Sequence, residues 1–187
     1  MVFPYRGSVG WFVSGAAKSL VDPIRSLALL DELYAQHQAQ GFGRLMQLLL
    51  ALTFQDEKYR IVRNSVGVPD LVATKDNPRL GYALEVKTGT QKISLSPRDI
   101  QGVVSTGHVP VIAVLIFPDP LPRWLFVDAR SIQPGTYAKH QLSRKPKVTL
   151  EFDANITFRS TLATYHQAAM QGASALAAAI SSPPGTG

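Results

Sequence analysis

The sequence of 187 residues contains no cysteine. This absence excludes disulfide bonds, thiol catalysis and metal sites that are built on thiolate ligands. A metal ion bound by this chain would therefore depend mainly on oxygen ligands, which favour Mg²⁺ or Mn²⁺ over softer ions.

Long hydrophobic runs are also absent. Residues 161–180 come closest to the length of a membrane-spanning helix, but His166, Gln167 and Gln171 interrupt them and alanine is only weakly apolar. The sequence also lacks a Walker-type phosphate loop, a helix-turn-helix and a zinc finger. We therefore expect a cytoplasmic protein with neither a membrane partner nor a nucleotide cofactor.

The composition is that of a folded protein with a moderately basic surface. Hydrophobic residues make up 45% of the chain, which is too apolar for a disordered protein, and the formal net charge is +6. This charge is compatible with a polyanionic partner. The length suits one compact domain, so we predict a single domain over residues 1–187. Within it we expect an N-terminal arm at 1–22, a core at about 24–130 and a C-terminal helix at about 160–180.

Two helices are predicted ahead of the first strand. Asp22 followed by Pro23 is a typical pair of N-cap and first helical residue, and apolar residues keep helical spacing as far as about Gln38. The glycines at residues 41–43 predict a break in the helix. A second helix is expected at about 44–54, where leucines form a wide apolar face.

Short β-type segments separated by turn residues follow these helices. Three of them predict an antiparallel meander: residues 58–65, 70–74 and 81–88. Two more strands are predicted nearer the C-terminus: residues 123–129 and 147–153.

A further helix and a buried strand follow the meander. Ser96 and Pro97 predict the start of the helix, which is expected to end near Thr106 with Gly107 as its left-handed cap. Residues 109–117 are almost uniformly apolar, which is typical of a central strand that is buried on both faces.

The residues best suited to catalysis or metal binding lie on two neighbouring strands of the meander. Pro69-Asp70 opens one strand, and Glu85-Val86-Lys87 lies on the next after fourteen intervening residues. Because strand residues alternate between faces, Glu85 and Lys87 share one side and Val86 points to the other. Two carboxylates and an amine at one sheet edge can hold a divalent cation and an attacking water beside a phosphodiester. This arrangement predicts a nuclease site.

The same residues also have a purely structural interpretation. Asp70 after a proline is compatible with a turn. Glu85 and Lys87 are compatible with an exposed ion pair on the strand face, and such a pair has little energetic value.

The order of elements, together with the P-D and E-x-K residues, resembles the PD-(D/E)XK nuclease superfamily. That group includes many restriction endonucleases and the archaeal Holliday-junction resolvases. The resemblance covers roughly residues 44–117 and consists of a helix, the meander, a capped helix and a buried strand. It implies an α/β fold with a restriction-endonuclease-like core, in which helices flank a central mixed β-sheet.

The resemblance also implies roles for the motif residues. Asp70 and Glu85 would bind Mg²⁺, or Mn²⁺, with the backbone carbonyl of Val86 as a further ligand. The ion would polarise a phosphoryl oxygen and lower the pKa of a bound water. Lys87 would orient or deprotonate that water, or neutralise charge in the transition state. Asp70, Glu85 and Lys87 are therefore the expected catalytic residues.

The sequence departs from the resolvase-like pattern at one position. Those members carry an acidic residue on the helix before the first strand, and the corresponding stretch here is 44–47. Gln47, as a neutral oxygen ligand, and Glu32, on the preceding helix, are two candidates that the sequence does not distinguish. Gln101, one turn into the next helix, is a candidate for a polar residue facing the site, or else a solvated helix residue.

Basic residues outside the motif are candidates for contacts with DNA phosphates. Four of them flank the meander strands: Lys75, Arg79, Lys92 and Arg98. Four more belong to a carboxylate-free interval at 130–147: Lys139, Arg144, Lys145 and Lys147. Phosphate contacts supply affinity without sequence information, although a solvated basic loop has the same composition.

The sequence therefore predicts a Mg²⁺-dependent endonuclease that hydrolyses DNA phosphodiesters. A homodimer is expected, because symmetric cleavage of two strands needs two sites related by a two-fold axis. A type II restriction endonuclease is favoured, with base-reading loops at 1–21 and 118–150. A Holliday-junction resolvase is the alternative within this class. A catalytically inactive DNA-binding or assembly protein on the same fold is the alternative outside it.

Overall fold

The computed structural model describes residues 22–63, 67–75, 81–89 and 91–181. Its helices are α1 (Pro23–Asp56), α2 (Pro97–Val104), α3 (Lys139–Leu142), α4 (Ala154–Gln171) and α5 (Ala173–Ser181). Its strands are β1 (Arg60–Arg63), β2 (Leu71–Thr74), β3 (Tyr82–Gly89), β4 (Lys92–Leu95), β5 (Val109–Ile116), β6 (Arg123–Asp128) and β7 (Gly135–Ala138). A 3₁₀ turn spans Ala129–Ser131. Residues 1–21 of the predicted arm and the turn residue Arg79 lie outside the described residues.

A mixed five-stranded sheet forms the centre of the fold, in the order β1-β2-β3-β5-β6. The strands β1, β2 and β3 are consecutive antiparallel neighbours, which confirms the predicted meander. β5 runs parallel to β3 and antiparallel to β6. It is buried along its whole length apart from its first residue, which confirms the prediction of a central strand. A parallel neighbour requires a crossover connection, and β4 with α2 supplies it. The fold is therefore α/β, as the sequence predicts.

Two hydrophobic clusters cover the two faces of the sheet. One joins the apolar residues of α1, α4 and α5 to strand residues such as Val86. The other joins Val103 of α2 and the apolar residues of β4 to strand residues that point the opposite way, such as Ala83. On this second face β4 pairs with β7 in a small two-stranded sheet. Glu85 and Lys87 share the side of Ala83, so they point towards α2.

Both predicted helix starts are confirmed. The Asp22 carboxylate accepts a hydrogen bond from the N–H of Ile24 at 2.9 Å, and Pro23 is the first residue of α1. The Ser96 hydroxyl accepts from the N–H of Asp99 at 3.1 Å, and the Asp99 carboxylate accepts from the N–H of Ser96 at 2.7 Å. These bonds satisfy N–H groups that a helix start otherwise leaves unpaired. Local sequence therefore fixes where α2 begins.

The predicted end of the first helix near Gln38 is confirmed, but the predicted break at residues 41–43 is wrong. The helical path is interrupted at Gln38, whose φ of 55° is left-handed. Gly43 lies inside the helix instead, where a Cβ atom would lie 3.1 Å from the hydroxyl oxygen of Thr88. The glycine is therefore used for close approach between α1 and β3, and a single sequence does not distinguish this use from a helix break.

The predicted strand at residues 147–153 is also wrong. This segment runs beside β6 with one bridge, between Lys147 and Val127, and continues without a ladder. Its alternate apolar residues still pack against the main cluster: Val148, Leu150 and Phe152. The two-residue period therefore reflects burial at the sheet edge and not strand pairing.

The predicted C-terminal helix at about 160–180 starts earlier and is divided. It begins at Ala154, and Gly172, with a φ of 107°, separates α4 from α5. The short elements β4, β7 and α3 are not predicted from the sequence. Among the described residues, no helix has both the length and the apolar character that a membrane crossing requires.

Candidate active site

Asp70 lies immediately before β2 and next to β3. The register pairs Leu71 with Leu84, so the next position outward brings Asp70 opposite Glu85. The Asp70 carboxylate oxygen Oδ2 accepts a hydrogen bond from the backbone N–H of Val86 at 2.9 Å. Because a residue in an antiparallel pair directs its N–H and C=O to the same neighbour, the Val86 carbonyl is directed to the same side. The carboxylate is therefore fixed against β3 beside the E-x-K residues.

Glu85 and Lys87 form a buried ion pair. The Glu85 residue is only 4% exposed, and its Oε1 lies 2.8 Å from the Lys87 ammonium nitrogen. Its other oxygen, Oε2, is buried without a hydrogen-bond partner. The interpretation as an exposed ion pair on the strand face is therefore wrong, because neither solvent nor a second donor satisfies this carboxylate.

Burial changes the acidity of both carboxyl groups. Burial raises the pKa of Glu85 to about 7; the hydrogen bond from Lys87 opposes this shift and the charge of Asp70 adds to it. Burial also raises the pKa of Asp70, against the hydrogen bond from Val86. The Lys87 ammonium does not fully offset the desolvation of these two carboxyl groups, and a divalent cation would supply further positive charge.

The raised pKa of Glu85 predicts a pH-dependent gain in stability for Glu85→Gln. Glutamine matches the protonated carboxyl, so both chains should be equally stable below the ordinary carboxyl pKa. As the pH rises through about 7, native Glu85 ionises in its buried site and its contribution to stability is lost. At pH 8.5 in EDTA we expect the variant to be more stable by about 2 kcal/mol, since one pKa unit corresponds to about 1.4 kcal/mol. Thermal unfolding at pH 4 and pH 8.5 measures this difference. The exposed-acid variant Asp31→Asn is the control, and equal shifts in both variants would contradict the prediction.

Asp99, which also caps the start of α2, joins this cluster. Its Oδ1 lies 3.1 Å from the Lys87 ammonium, which therefore lies between two carboxylates. Burial lowers the pKa of Lys87, but the hydrogen bonds and charges of Glu85 and Asp99 more than offset this effect. The pKa of Lys87 is consequently above its usual value, and the side chain is an ammonium. The capping pattern predicts that the Asp99 side chain turns back to the backbone of Ser96. No spacing in the sequence predicts that Asp99 also contacts Lys87.

The two candidates for a further ligand lie in different surroundings. Gln47 accepts a hydrogen bond from the Arg44 guanidinium at 3.0 Å through its amide oxygen, and the charge of Arg44 also acts on Asp70. Arg44 thus connects Gln47 electrostatically to Asp70. Glu32 instead lies 3.2 Å from Nε2 of His166 on α4. Of the two, Gln47 is the candidate for a further ligand.

An open groove lies along α2. The groove has a volume of about 930 Å³ and lies between α2 and the loop before Asp70. Arg98 and Gln101 line it on the helix side, and both are exposed. The walls come close where Gly102 meets Val68, since a Cβ atom on Gly102 would lie 2.3 Å from Cγ1 of Val68.

This close approach predicts that Gly102→Ala lowers stability, the opposite of its usual effect in a helix. In an ordinary helix interior, alanine stabilises relative to glycine by about 1 kcal/mol. Here the added methyl group would push Val68, and with it the loop that carries Asp70, away from α2. We expect the melting temperature to fall by several degrees, since overpacking costs roughly 1–3 kcal/mol. Calorimetry measures the change. The exposed Val104→Ala substitution in the same helix is the control, and a higher melting temperature for Gly102→Ala would contradict the prediction.

Three of the predicted DNA-binding lysines already contact protein groups. The Lys75 ammonium lies 3.5 Å from Glu151, at the opposite end of β2 from Asp70. The Lys139 ammonium donates to the carbonyl of Phe117. The Lys147 ammonium donates to three carbonyls at the end of α3 and in the turn that follows it, so it stabilises this turn.

The other described candidates for phosphate contacts are Arg98, Lys92, Arg144 and Lys145. Arg98 lines the groove beside the site. Lys92 pairs in register with Ala138, the residue before α3, so β4 lies next to the basic segment that contains Arg144 and Lys145. Arg98 and Lys92 are exposed, as is Arg144. Their exposure is compatible with contacts to a polyanion.

The donor set fits a hard cation that keeps part of its water. Among the described residues, no group of three or more His, Cys, Asp or Glu side chains is arranged to hold a metal ion. Mg²⁺ commonly binds through only one or two carboxylates and retains several waters. Asp70 and Glu85 supply two carboxylates, and the unpartnered Oε2 of Glu85 is a free oxygen donor.

Comparison with protein-family models gives no match to this chain, and comparison with curated proteins gives none either. The functional argument therefore depends on the chemistry of the site.

Proposed function

We propose that this chain is a Mg²⁺-dependent endonuclease of the PD-(D/E)XK type that hydrolyses DNA phosphodiester bonds. One observation carries the proposal. Asp70, immediately before β2, lies opposite Glu85 of β3 beside the Lys87 ammonium, and one Glu85 oxygen is buried without a partner. A buried carboxylate with a free oxygen is costly unless it binds a cation, so the arrangement favours a metal site over a structural ion pair.

The order of elements supports a restriction-endonuclease-like core. A helix precedes an antiparallel meander, α2 follows it, and β5 then joins the sheet parallel to β3. This is the order that the resemblance implies. It brings the ends of β2, β3 and α2 to one place, where the acids and the ammonium meet.

Asp70 and Glu85 would hold the cation, together with the carbonyl of Val86. When bound, Mg²⁺ supplies Lewis acidity, which polarises a phosphoryl oxygen and lowers the pKa of water. Mn²⁺ accepts the same oxygen ligands. Gln47 is the candidate for an additional neutral oxygen, although its amide oxygen already accepts a hydrogen bond from Arg44.

Lys87 acts as a cation in this proposal. The two neighbouring carboxylates raise its pKa, so without a bound cation it carries a proton at neutral pH. An ammonium at this position can donate to a phosphate oxygen and neutralise the charge that develops there. It can also orient a water by hydrogen bonding. Of the roles that the resemblance implies for Lys87, charge neutralisation and orientation fit the structure best.

The groove along α2 is the proposed path for the DNA strand next to the cleaved phosphate. Arg98 supplies a cation at its wall and Gln101 supplies a neutral amide. Lys92, Arg144 and Lys145 are the proposed phosphate contacts further away. Such contacts give affinity that weakens with salt. We propose a homodimer, because two equivalent sites allow symmetric cleavage.

The proposal is tested by cleavage of two substrates in Mg²⁺ and in EDTA. We expect cleavage of linear duplex DNA into discrete fragments in Mg²⁺ and none in EDTA. Cleavage confined to a four-way junction would assign the chain to the resolvase alternative. Light scattering of the chain with and without DNA tests the homodimer.

A binding-only protein is the second candidate, and the neutral side chain at Gln47 favours it. If the chain shifts DNA in a gel but cleaves no substrate with Mg²⁺ or Mn²⁺, the endonuclease proposal is wrong and the binding role remains.

A further inference from the structure

Asp99 connects the start of α2 to the Lys87 ammonium through two different oxygens. Its Oδ2 accepts from the N–H of Ser96 at 2.7 Å, while its Oδ1 lies 3.1 Å from Lys87. The side chains are largely enclosed, with Asp99 15% exposed and Lys87 23% exposed. The helix start thus fixes the position of the Asp99 carboxylate, and from this position the carboxylate contacts Lys87 of β3.

Lys87 needs such an anchor because its side chain is long and flexible. An ammonium on a four-carbon stem has three rotatable donors and no preferred geometry of its own. Here it is shared between Glu85 at 2.8 Å and Asp99 at 3.1 Å. Glu85 is the proposed cation ligand, so a bound cation would compete with Lys87 for that carboxylate. Asp99 is separate from the cation ligands and would keep its contact.

We propose that Asp99 is a positioning residue that holds the Lys87 ammonium at the edge of β3, so that Glu85 is free to bind a cation. The proposal rests on the endonuclease function above. It assigns no contact between Asp99 and the substrate or the cation. The N-terminus of α2 thereby sets the place of the catalytic ammonium.

The alternative is that Asp99 only stabilises the start of α2. Ser96→Ala separates these roles. It removes the hydroxyl that accepts from the N–H of Asp99, but it keeps the backbone N–H that holds the Asp99 carboxylate. Asp99→Asn keeps the shape of the side chain and removes the charge opposite Lys87. The two variants therefore disturb the same helix start, and only one disturbs the ammonium.

Steady-state cleavage in Mg²⁺ is the first measurement. For Asp99→Asn we expect kcat to fall roughly 10- to 100-fold, the effect of a small misplacement of a reacting group, with KM for DNA changed by less than about twofold. For Ser96→Ala we expect kcat within about twofold of the native value and a melting temperature lower by roughly 2–4 °C. Equal losses of kcat in both variants, or no loss in Asp99→Asn, would overturn the proposal.

Nuclear magnetic resonance of the ¹⁵N-labelled lysine ammonium groups is a second measurement that needs no cleavage. We expect the Lys87 ammonium to exchange its protons with water faster in Asp99→Asn than in the native chain, and at the native rate in Ser96→Ala. If the native chain does not cleave DNA, the endonuclease function fails and this measurement alone decides the role of Asp99. Unchanged exchange in Asp99→Asn would then overturn it.

Discussion

Alanine at Asp70 or at Glu85 is expected to abolish Mg²⁺-dependent DNA cleavage. Each substitution removes one of the two carboxylates that meet beside β3. Metal-centred stabilisation of a phosphoryl transition state supplies several kcal/mol, and each 1.4 kcal/mol is about tenfold in rate, so we expect a loss on the order of 10³-fold or more. Plasmid nicking at a fixed protein concentration measures the loss. Calorimetric titration with Ca²⁺, which need not support cleavage, measures cation binding separately.

The control for these variants is Asp31→Ala, which removes an exposed acid from α1. It should leave cleavage and Ca²⁺ binding unchanged. Circular dichroism of each variant shows whether the fold is retained. If Asp70→Ala is folded and still cleaves at the native rate, the site is not where we place it.

Replacing Lys87 by alanine is expected to have the second largest effect. The ammonium is held by Glu85 and Asp99, so its removal takes away the positive charge proposed to face the phosphate. Groups of this kind contribute roughly 10²- to 10⁴-fold, and we expect kcat to fall by that factor. Binding of Ca²⁺ should persist or become tighter, because Glu85 loses its competing partner. Single-turnover cleavage and calorimetric titration measure the two effects.

Arg60→Ala is the matched control for the loss of one positive charge. Arg60 is exposed and pairs with Thr74, at the end of β2 opposite Asp70. It should change cleavage by less than about twofold, as expected for a cation remote from the site. Loss of Ca²⁺ binding in Lys87→Ala, with its fold intact, would show that the ammonium supports the site structurally. The proposed role in charge neutralisation would then be withdrawn.

Local sequence determined the starts of the helices and the faces of the strands. Asp22 and Ser96 begin helices because each can satisfy free N–H groups a few residues away, which needs no distant partner. Glu85 and Lys87 share a face because successive strand residues alternate. The apolar segment that forms β5 is central because no polar residue in it requires solvent. These predictions depend on contacts within a few residues, and the structure confirms them.

Other features depend on partners that are distant in the chain. Gly43 does not break α1, because its backbone approaches β3. Residues 147–153 alternate like a strand but only pack at the edge of β6. Lys147 belongs to a basic run, but its ammonium donates hydrogen bonds to backbone carbonyls of its own turn. In each case the residue type allows two outcomes, and packing against another element selects one.

The sequence by itself determined that two acids and a lysine would lie on adjacent strands, with the glutamate and the lysine on one face. Only the tertiary structure decided that Glu85 is buried with a free oxygen and that Asp99 reaches Lys87 from α2. The physical reason is that alternation along a strand is a property of the local backbone. Burial, charge pairing and the resulting pKa values depend on which helix covers the sheet, and only the folded chain fixes that choice.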